Sequence, residues 1–153
     1  MVLRPVASAD LPVFFEHQRD PEATRMAAFP SRDHEAFLAH WKRTLDRPDA
    51  VIRTILCDGA IAGNVLSWVD GGDRLVGYWL GREYWGRGIA TRALSAFLGL
   101  LQTRPLYAHA ARHNAGSLRV LEKCGFRFVE ERPGPSDVPG VTVPEHVMIL
   151  EPE

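Results

Sequence analysis

The 153-residue sequence contains little cysteine, and its only thiols are those of Cys57 and Cys124. They lie far apart in the chain, and neither has the neighbouring cysteine or histidine residues that a zinc site requires. Two isolated thiols exclude a disulfide framework, and the sequence predicts no metal site. Both thiols are expected to pack as small buried side chains.

A strong charge of one sign and long apolar runs are also missing. The 18 basic and 19 acidic residues leave a formal net charge of -1, so the chain has no overall positive field that would attract nucleic acid. Apolar stretches end well before the roughly 18 residues that a membrane-spanning helix needs. The segment Met1–Val6 is interrupted by Pro5 and is unlike a secretory signal. These absences predict a cytoplasmic protein that binds neither nucleic acid nor membrane.

The length and composition are typical of one folded domain. With 46% apolar and 24% charged residues, a chain of this size can bury enough apolar surface to fold without a disulfide or a metal ion. Residues 1–153 are therefore expected to form a single domain.

Hydrophobic periodicity predicts strands at both ends and in the middle of the chain, with helices between them. Alternating apolar residues and tight glycine turns predict an antiparallel meander over residues 51–80. The expected helices are Ser8–Arg19, Ser31–Asp46, Gly86–Leu101 and Asn114–Cys124. The expected strands are Met1–Val6, Val51–Leu56, Ile61–Val69, Leu75–Leu80, Leu106–Ala110, Phe126–Glu131 and Val141–Leu150.

This order of elements predicts the fold class. Strands grouped in the middle, followed by helix-strand-helix-strand, indicate an α+β or mixed α/β domain built on one sheet. The pair Asp20-Pro21 is expected to break the helical pattern. The loop Pro133–Gly140, rich in proline and glycine, is expected to be mobile.

The segment from Tyr78 to Leu94 runs from a strand through a glycine-rich turn into a helix. Gly86 and Gly88 lack Cβ atoms, so the backbone can approach an anion closely. Free N–H groups at the helix start point at such an anion, and Arg87 and Arg92 add positive charge. The segment lacks the third glycine of a dinucleotide fingerprint and the Gly-Lys-Ser/Thr ending of a nucleotide P-loop. It predicts a phosphate-binding turn of another kind, with a plain strand-to-helix turn as the alternative.

Two motifs resemble those of the GNAT N-acetyltransferases. The acetyl-CoA pyrophosphate loop of that family is similar to Tyr84-Trp85-Gly86-Arg87-Gly88-Ile89-Ala90-Thr91. The family's second motif, an Asn-led helix ending in Glu-Lys-x-Gly-Phe, is similar to Arg112–Phe126. The first motif is similar to that of the branch that acetylates the amino termini of ribosomal proteins, together with related acetylases of small amines. The resemblance implies a GNAT-like fold, with a central, mostly antiparallel mixed sheet flanked by helices.

The resemblance also implies acetyl-CoA as the co-substrate. Gly86 would shape the loop, and Trp85 would replace the family's usual Gln or Arg without affecting the main-chain donors. Trp79 and Leu80 would pair with the pantetheine arm as an added strand does. Asn114 would offer its side-chain amide to the pantetheine, although Asn is also a favoured helix cap. The pyrophosphate would be held by the main-chain N–H groups of Arg87, Gly88, Ile89, Ala90 and Thr91.

Two catalytic groups follow from the same resemblance. The amide of Leu80 would donate to the acetyl carbonyl and stabilise the oxyanion of the tetrahedral intermediate. The general acid in many family members is a tyrosine just before the Glu-Lys pair, where this chain has Leu121. Ser117, one helical turn after Asn114, is the acid that the ribosomal branch suggests. The alternative for Ser117 is a small residue that permits close packing.

No motif identifies the general base, which takes a proton from the attacking ammonium group directly or through water. Surface or turn polarity is the alternative explanation for every candidate. The candidates are Glu83, His109, His113, His34, His40 and Glu35. Trp41 and Trp68 are placed either beside an acceptor pocket or in the aromatic core.

Together these features predict an N-acetyltransferase that moves an acetyl group from acetyl-CoA to a primary amine by direct attack in a ternary complex. The acceptor would be a protein amino terminus or a small-molecule amine. Cys124 is expected to pack rather than to carry an acyl group. The alternative function is a non-catalytic CoA-binding or sensor module with the same fold. The sequence does not identify the acceptor amine. It does not determine the oligomeric state either, and a homodimer is the alternative to a monomer.

Overall fold

The computed structural model describes residues 1–153 and contains one seven-stranded sheet. The strands are β1 (Val2–Arg4), β2 (Val51–Cys57), β3 (Ala60–Asp70), β4 (Asp73–Leu80), β5 (Leu106–Ala111), β6 (Arg127–Gly134) and β7 (Val143–Leu150). They lie in the order β1-β2-β3-β4-β5-β7-β6, and only β4 and β5 are parallel neighbours. The predicted mostly antiparallel mixed sheet is confirmed.

Five α-helices accompany the sheet. They are α1 (Leu11–Arg19), α2 (Pro21–Ala27), α3 (His34–Leu45), α4 (Ile89–Leu100) and α5 (Ala115–Lys123). Short 3-10 turns precede α1 and follow β4. The helices are too short or too polar for any of them to cross a membrane.

The two faces of the sheet bury separate groups of side chains. The main core includes Phe97 of α4, which is 0% exposed. The second core is aromatic, and the rings of Phe14 in α1 and Trp41 in α3 lie 5.1 Å apart. Because successive strand residues point to opposite faces, Val65 of β3 joins the main core while Leu66 packs against the aromatic one. Trp41 is thus a core residue.

Strands β2, β3 and β4 form the predicted meander, joined by two-residue turns. Asp58-Gly59 has φ angles of 52° and 80°, and Gly71-Gly72 has φ angles of 58° and 87°. Two positive φ angles in succession are typical of type I′ hairpin turns, whose twist matches that of the flanking strands. From the second turn, the pairing of β3 with β4 continues to Gly63 opposite Leu80.

Strands β4 and β5 run together only near their beginnings. Leu75 and Tyr107 form the one register pair between them, whereas β5 pairs with β7 from Leu106 to Ala111. Beyond Leu75 the edge of β4 that faces β5 has no strand partner. The resulting gap between the carboxyl ends of β4 and β5 positions the candidate site.

One helix was missed by the sequence prediction. Asp20-Pro21 ends α1 as expected, but α2 begins at once, because the Asp20 carboxylate accepts a hydrogen bond from the N–H of Glu22 at 3.2 Å. Pro21 occupies the first helical position, where no N–H donor is needed. The same pair of residues therefore ends one helix and starts the next.

The bounds of other elements also differ from the prediction. Helix α3 begins at His34 rather than Ser31, because Asp33 caps it by accepting from the N–H of Ala36 at 2.8 Å. Part of the predicted loop Pro133–Gly140 is strand, since β6 extends to Gly134 and pairs there with β7.

Candidate active site

The gap between β4 and β5 opens into a cavity of about 400 Å³. Its walls come from β4, the loop after β4, the first turn of α4, and parts of α5 and α2. Nine predicted cofactor residues lie in these walls: Trp79, Leu80, Gly86, Gly88, Ile89, Ala90, Thr91, Asn114 and Ser117. Residues that were predicted from two separate motifs are thus brought together in one cavity.

Arg87 is the predicted cofactor residue that does not line the cavity. Its side chain is exposed, and its guanidinium lies 5.6 Å from the ring centroid of Tyr84, within the range of a cation–π contact. The main-chain N–H role predicted for Arg87 does not depend on the direction of its side chain. The positive charge expected from Arg87 and Arg92 is not part of the wall, because neither residue lines the cavity.

The first turn of α4 leaves its main-chain donors free. The chain enters the helix through Gly86 and Gly88, whose φ angles are 71° and 74°. The first bond of the helix runs from the N–H of Arg92 to the carbonyl of Gly88 at 3.2 Å, and no side chain caps this end. The N–H groups of residues 89–91 therefore have no protein partner. Their partial positive charge, added to the helix dipole, favours an anion at this wall.

The main-chain groups of Leu80 face the gap. The N–H of the next residue, Gly81, donates to the carbonyl of Ala62 in β3 at 2.9 Å. Since successive strand residues direct their main-chain groups to opposite sides, the N–H and C=O of Leu80 point away from β3. The Leu80 carbonyl accepts a hydrogen bond from Nε1 of Trp85 at 3.0 Å. The Leu80 N–H is left facing the cavity.

Trp79 differs from the expectation, because its main chain is turned toward β3. A Cβ atom on Gly63 of β3 would stand 2.0 Å from the Trp79 carbonyl oxygen. The strand positions whose main-chain groups face the gap are those of Tyr78 and Leu80, so strand-like pairing with a ligand falls to them. Trp79 still lines the wall, and its Nε1 is buried without a hydrogen-bond partner.

Helix α5 brings Asn114 and Ser117 to the cavity. The Oδ1 atom of Asn114 accepts from the N–H of Ser117 at 3.2 Å, so Asn114 caps the helix. Capping uses only the side-chain oxygen and leaves the NH₂ of Asn114 available. A capping role is therefore compatible with the predicted hydrogen bond to the pantetheine. The Oγ atom of Ser117 accepts a hydrogen bond from the Tyr78 hydroxyl at 3.1 Å. Leu121 is 3% exposed and belongs to the main core.

Several residues of the wall were not predicted from the sequence. Arg119 and Lys123 lie four residues apart on α5 and bring positive charge to the cavity. Arg119 and Lys123 follow Gly116 by three and seven residues, and this helical spacing puts the three residues on one face of α5. Strand alternation from Leu80 was the corresponding signal for Tyr78. The residues of α2 were missed together with their helix: Ala23, Met26 and Ala27.

None of the general-base candidates lies in the cavity wall. Nε2 of His113 is 2.7 Å from the main-chain oxygen of Arg25 in α2. His109 contacts Arg132 at 3.1 Å and lies 3.8 Å from Glu145. Burial and the charge of Arg132 lower the pKa of His109. Both imidazoles are therefore engaged with other parts of the protein.

The remaining candidates also lie elsewhere. Glu83 is exposed in the turn after β4. No residue of α3 contributes to the wall, and that helix holds His34, Glu35 and His40. Burial lowers the pKa of His40 to about 4, so this imidazole is neutral at pH 7. Trp68 lies outside the cavity as well.

Both cysteines are free thiols. Cys57 is buried, as predicted, and Cys124 is half-buried, with its Sγ 3.7 Å from the main-chain oxygen of Thr91. Burial raises the pKa of the Cys124 thiol, which disfavours the nucleophilic thiolate. This setting fits the packing role expected of Cys124.

The same fold occurs in solved acetyltransferases. Spermidine N-acetyltransferase from Vibrio cholerae, in complex with CoA and spermine, is 14% identical with a TM-score of 0.83, and the match covers 98% of this chain and 94% of that one. Ribosomal-protein-alanine N-acetyltransferase from Brucella melitensis is 17% identical with a TM-score of 0.82, covering 99% of both chains. A putative acetyltransferase from Salmonella typhimurium, solved with its cofactor acetyl-CoA, is 18% identical with a TM-score of 0.79. The match covers 99% of this chain and 93% of that one.

The family model described as an acetyltransferase (GNAT) domain matches residues 1–127. The chain has no significant match among the curated proteins. The matched segment includes most of the sheet, the turn at Gly86 and Gly88 and the helix that carries Ser117. The chain therefore belongs to the GNAT acetyltransferase family.

Proposed function

We propose that this protein is an acetyl-CoA-dependent N-acetyltransferase that transfers the acetyl group to a primary amine by direct attack in a ternary complex. The observation that carries the proposal is the presence of two sets of free main-chain donors in one cavity. One set is the N–H groups of residues 89–91, and the other is the N–H of Leu80. The first suits a pyrophosphate and the second suits a carbonyl that becomes an oxyanion.

The phosphate end of acetyl-CoA is assigned to the α4 side of the cavity. Gly86 and Gly88 turn the chain so that free N–H groups stand at the wall. Arg119 and Lys123 add positive charge there, which favours the phosphates further. The main-chain donors assigned to the pyrophosphate are Arg87, Gly88, Ile89, Ala90 and Thr91.

The pantetheine arm is assigned to the open edge of β4. Tyr78 presents its main-chain N–H and C=O to the gap and Leu80 presents its N–H, in the way that a sheet edge receives an additional strand. Asn114, on the opposite wall, offers its side-chain NH₂. When bound, acetyl-CoA supplies the activated thioester carbonyl that the amine attacks.

Two groups of the protein then act on the reacting centre. The N–H of Leu80 donates to the acetyl oxygen as negative charge develops on it, a contribution of about 3 kcal/mol for a preorganised donor. Ser117 lies on the facing helix and donates its hydroxyl proton to the departing thiolate. No covalent acyl-enzyme is required, which agrees with the half-buried, weakly acidic thiol of Cys124.

The amine acceptor is assigned to the side of the cavity formed by α2. The wall there is apolar, with Ala23, Met26 and Ala27, and suits the carbon skeleton next to the attacking nitrogen. Since no carboxylate or histidine lines the cavity, the ammonium proton leaves through water. The class of acceptor is a primary amine, which is common to the spermidine and ribosomal-protein acetyltransferases of the same fold.

A non-catalytic CoA-binding module is the second candidate, and one observation favours it. Leu121 occupies the position of the family's acidic tyrosine and is buried in the main core. A cavity that binds the cofactor but lacks a proton donor would sense CoA without turning it over.

Two measurements test these proposals. Acetyl-CoA and CoA should raise the melting temperature, because both bind the folded state selectively, whereas NAD and ATP should not. Thiol release from acetyl-CoA should then rise on addition of spermidine or an alanine-initiated peptide. A melting temperature unmoved by acetyl-CoA contradicts both candidates. A clear shift without thiol release, across polyamines and peptides, favours the sensor.

The setting of the reaction belongs to the same proposal. Two unpaired thiols suit the reducing cytoplasm, and a net charge of -1 supports no nucleic-acid partner. Residues 1–153 are proposed to act as one domain, since strands from both ends of the chain join the same sheet. A homodimer is the alternative to a monomer, and sedimentation at micromolar concentration distinguishes the two.

A further inference from the structure

The hydroxyl of Tyr78 lies at the wall of the cavity and is bonded to the predicted general acid. Tyr78 lies two residues before the end of β4. Its side chain packs against the main core, on the side of the sheet that holds α4 and α5. Its O–H donates to Oγ of Ser117 at 3.1 Å. Both residues line the cavity. The pair is formed by a strand and a helix that are far apart in the sequence.

We infer that Tyr78 supplies, by way of Ser117, the proton that the departing CoA thiolate takes up. This inference rests on the proposed acetyl transfer. Tyr78 would not touch the sulfur itself, so it is a positioning residue that acts through the serine. Its O–H occupies one of the two lone pairs of the Ser117 Oγ, so the serine proton is directed away from Tyr78 and toward another part of the cavity.

Acid strength explains why the serine needs this partner. A serine hydroxyl is a much weaker acid than a thiol, so Ser117 alone would lose its proton to a thiolate only at a large free-energy cost. A tyrosine hydroxyl, with an ordinary pKa near 10, is a far better proton source. In a relay the serine gives up one proton and receives another, and the net donor is the tyrosine.

The step balances in atoms and charge. The C–S bond of the tetrahedral intermediate breaks, and sulfur keeps the electron pair. The Ser117 hydroxyl proton moves to sulfur, while the Tyr78 hydroxyl proton moves to Oγ of Ser117, which leaves a phenolate at Tyr78. Water then returns a proton to the phenolate, using the proton that the ammonium group of the acceptor released. The acceptor nitrogen gives up two protons in all, one before it attacks and one from the tetrahedral intermediate, so the products are the amide, the free thiol of CoA and one proton released to water.

The surroundings of Tyr78 keep it protonated until that moment. Burial raises the pKa of Tyr78, and its hydrogen bond with Ser117 offsets part of this increase. The family's usual tyrosine position is filled by Leu121, which is buried in the main core and offers no hydroxyl. The hydroxyl group from β4 therefore provides what the helix does not.

A double-mutant cycle tests the relay. The variants are Y78F, S117A and the double variant, assayed by thiol release with spermidine or an alanine-initiated peptide, whichever the wild type uses. We expect S117A to lower kcat about 100-fold and Y78F about 10- to 100-fold. Because both act on one proton path, the double variant should be no more than about 3-fold slower than S117A. The KM for acetyl-CoA should change by less than about 3-fold in Y78F.

A solvent isotope measurement gives a readout that packing alone would not move. Two protons move together in the relay, so a plot of the wild-type kcat against the deuterium fraction of the solvent should be curved. The same plot for Y78F, in which one proton moves, should be a straight line. Should Y78F fail to fold, S117A should give the same straight line. Y107F is the matched control, because it removes the hydroxyl of a tyrosine outside the cavity wall; its kcat should stay within about 2-fold of wild type.

The outcomes separate the relay from the proposed function. No turnover by the wild type with any amine contradicts the acetyl transfer and the relay with it. If the wild type turns over and the fold-losses in kcat of Y78F and S117A multiply in the double variant, the proposed acetyl transfer stands and the relay is overturned. Wild-type kcat in Y78F overturns it as well.

Discussion

The indole Nε1 of Trp85 donates a hydrogen bond to the main-chain oxygen of Leu80 at 3.0 Å. This bond joins the end of β4 to the loop that leads into α4. It satisfies the main-chain carbonyl of Leu80 and leaves the N–H of Leu80 facing the cavity. Trp85 therefore ties together the two pieces of backbone assigned to acetyl-CoA, the Leu80 donor and the turn at Gly86 and Gly88.

Replacing Trp85 by Phe keeps an aromatic ring at this place and removes only the N–H donor. One hydrogen bond of this kind is worth about 1 kcal/mol, so we expect the Kd for acetyl-CoA to rise about 5-fold. Isothermal titration calorimetry measures the change. W68F is the control, because Trp68 lies outside the cavity wall, and its Kd should equal that of wild type. Equal affinities for W85F and wild type would contradict the tying role.

The turn into α4 offers a second test, in which two glycines of the same segment respond in opposite ways. Gly88 has a φ of 74° and an open space around it, so an added Cβ meets no atom but strains the backbone. We expect G88A to lower the free energy of unfolding by about 1 kcal/mol and to weaken acetyl-CoA binding about 10-fold. Urea unfolding and calorimetry measure the two effects.

Gly99 is the matched control for Gly88. It lies within α4, where a Cβ would also meet no atom within 4 Å, but its backbone is helical. G99A should therefore stabilise the protein, by about 0.5 kcal/mol, and leave the Kd for acetyl-CoA unchanged. Weaker acetyl-CoA binding by G99A would show that these substitutions act through general disturbance of α4 rather than through the turn.

The cofactor side of the cavity was open to prediction because its signals are local. A strand followed by Gly-x-Gly and an apolar helical stripe predicts the glycine turn into a helix within one segment, and the structure puts Gly86 and Gly88 at positive φ. Asn114 and Ser117 are likewise set by one capped helix. These features depend on residues that are neighbours in the chain.

The rest of the cavity depends on contacts between distant segments. Which of Trp79 and Leu80 faces the gap is decided by pairing of β4 with β3, and no property of either residue reveals it. The hydrogen bond between Tyr78 and Ser117 similarly requires the positions of β4 and α5. Helix α2 was missed because Asp20-Pro21 is as typical of a helix end as of a helix start. Periodicity alone could not distinguish these two interpretations.

The last prediction concerns a buried carboxylate outside the cavity. Asp10 is 2% exposed and accepts hydrogen bonds from both terminal nitrogens of Arg4, at 2.7 and 2.8 Å. It also accepts from the hydroxyl of Thr54 at 2.7 Å and from the N–H of Ala7 at 2.9 Å. Chiefly because of Arg4, the pKa of Asp10 falls to about 2. The carboxylate therefore connects β1, the start of α1 and β2.

A folded-state pKa below the unfolded value stabilises the protein above the unfolded pKa, and this stabilisation is lost as the pH falls toward the folded pKa. For Asp10 the ionised form contributes about 2 kcal/mol at pH 7, of which about 1 kcal/mol is lost by pH 3. D10N should be less stable than wild type by at least about 2 kcal/mol at pH 7, and the difference should shrink as the pH falls from 5 to 3. Urea unfolding at half-unit steps measures it. E22Q, which breaks an exposed pair with Arg25, should leave the free energy of unfolding nearly unchanged at every pH. A D10N difference that does not change with pH would show that packing, and not the charge of Asp10, is what stabilises this junction.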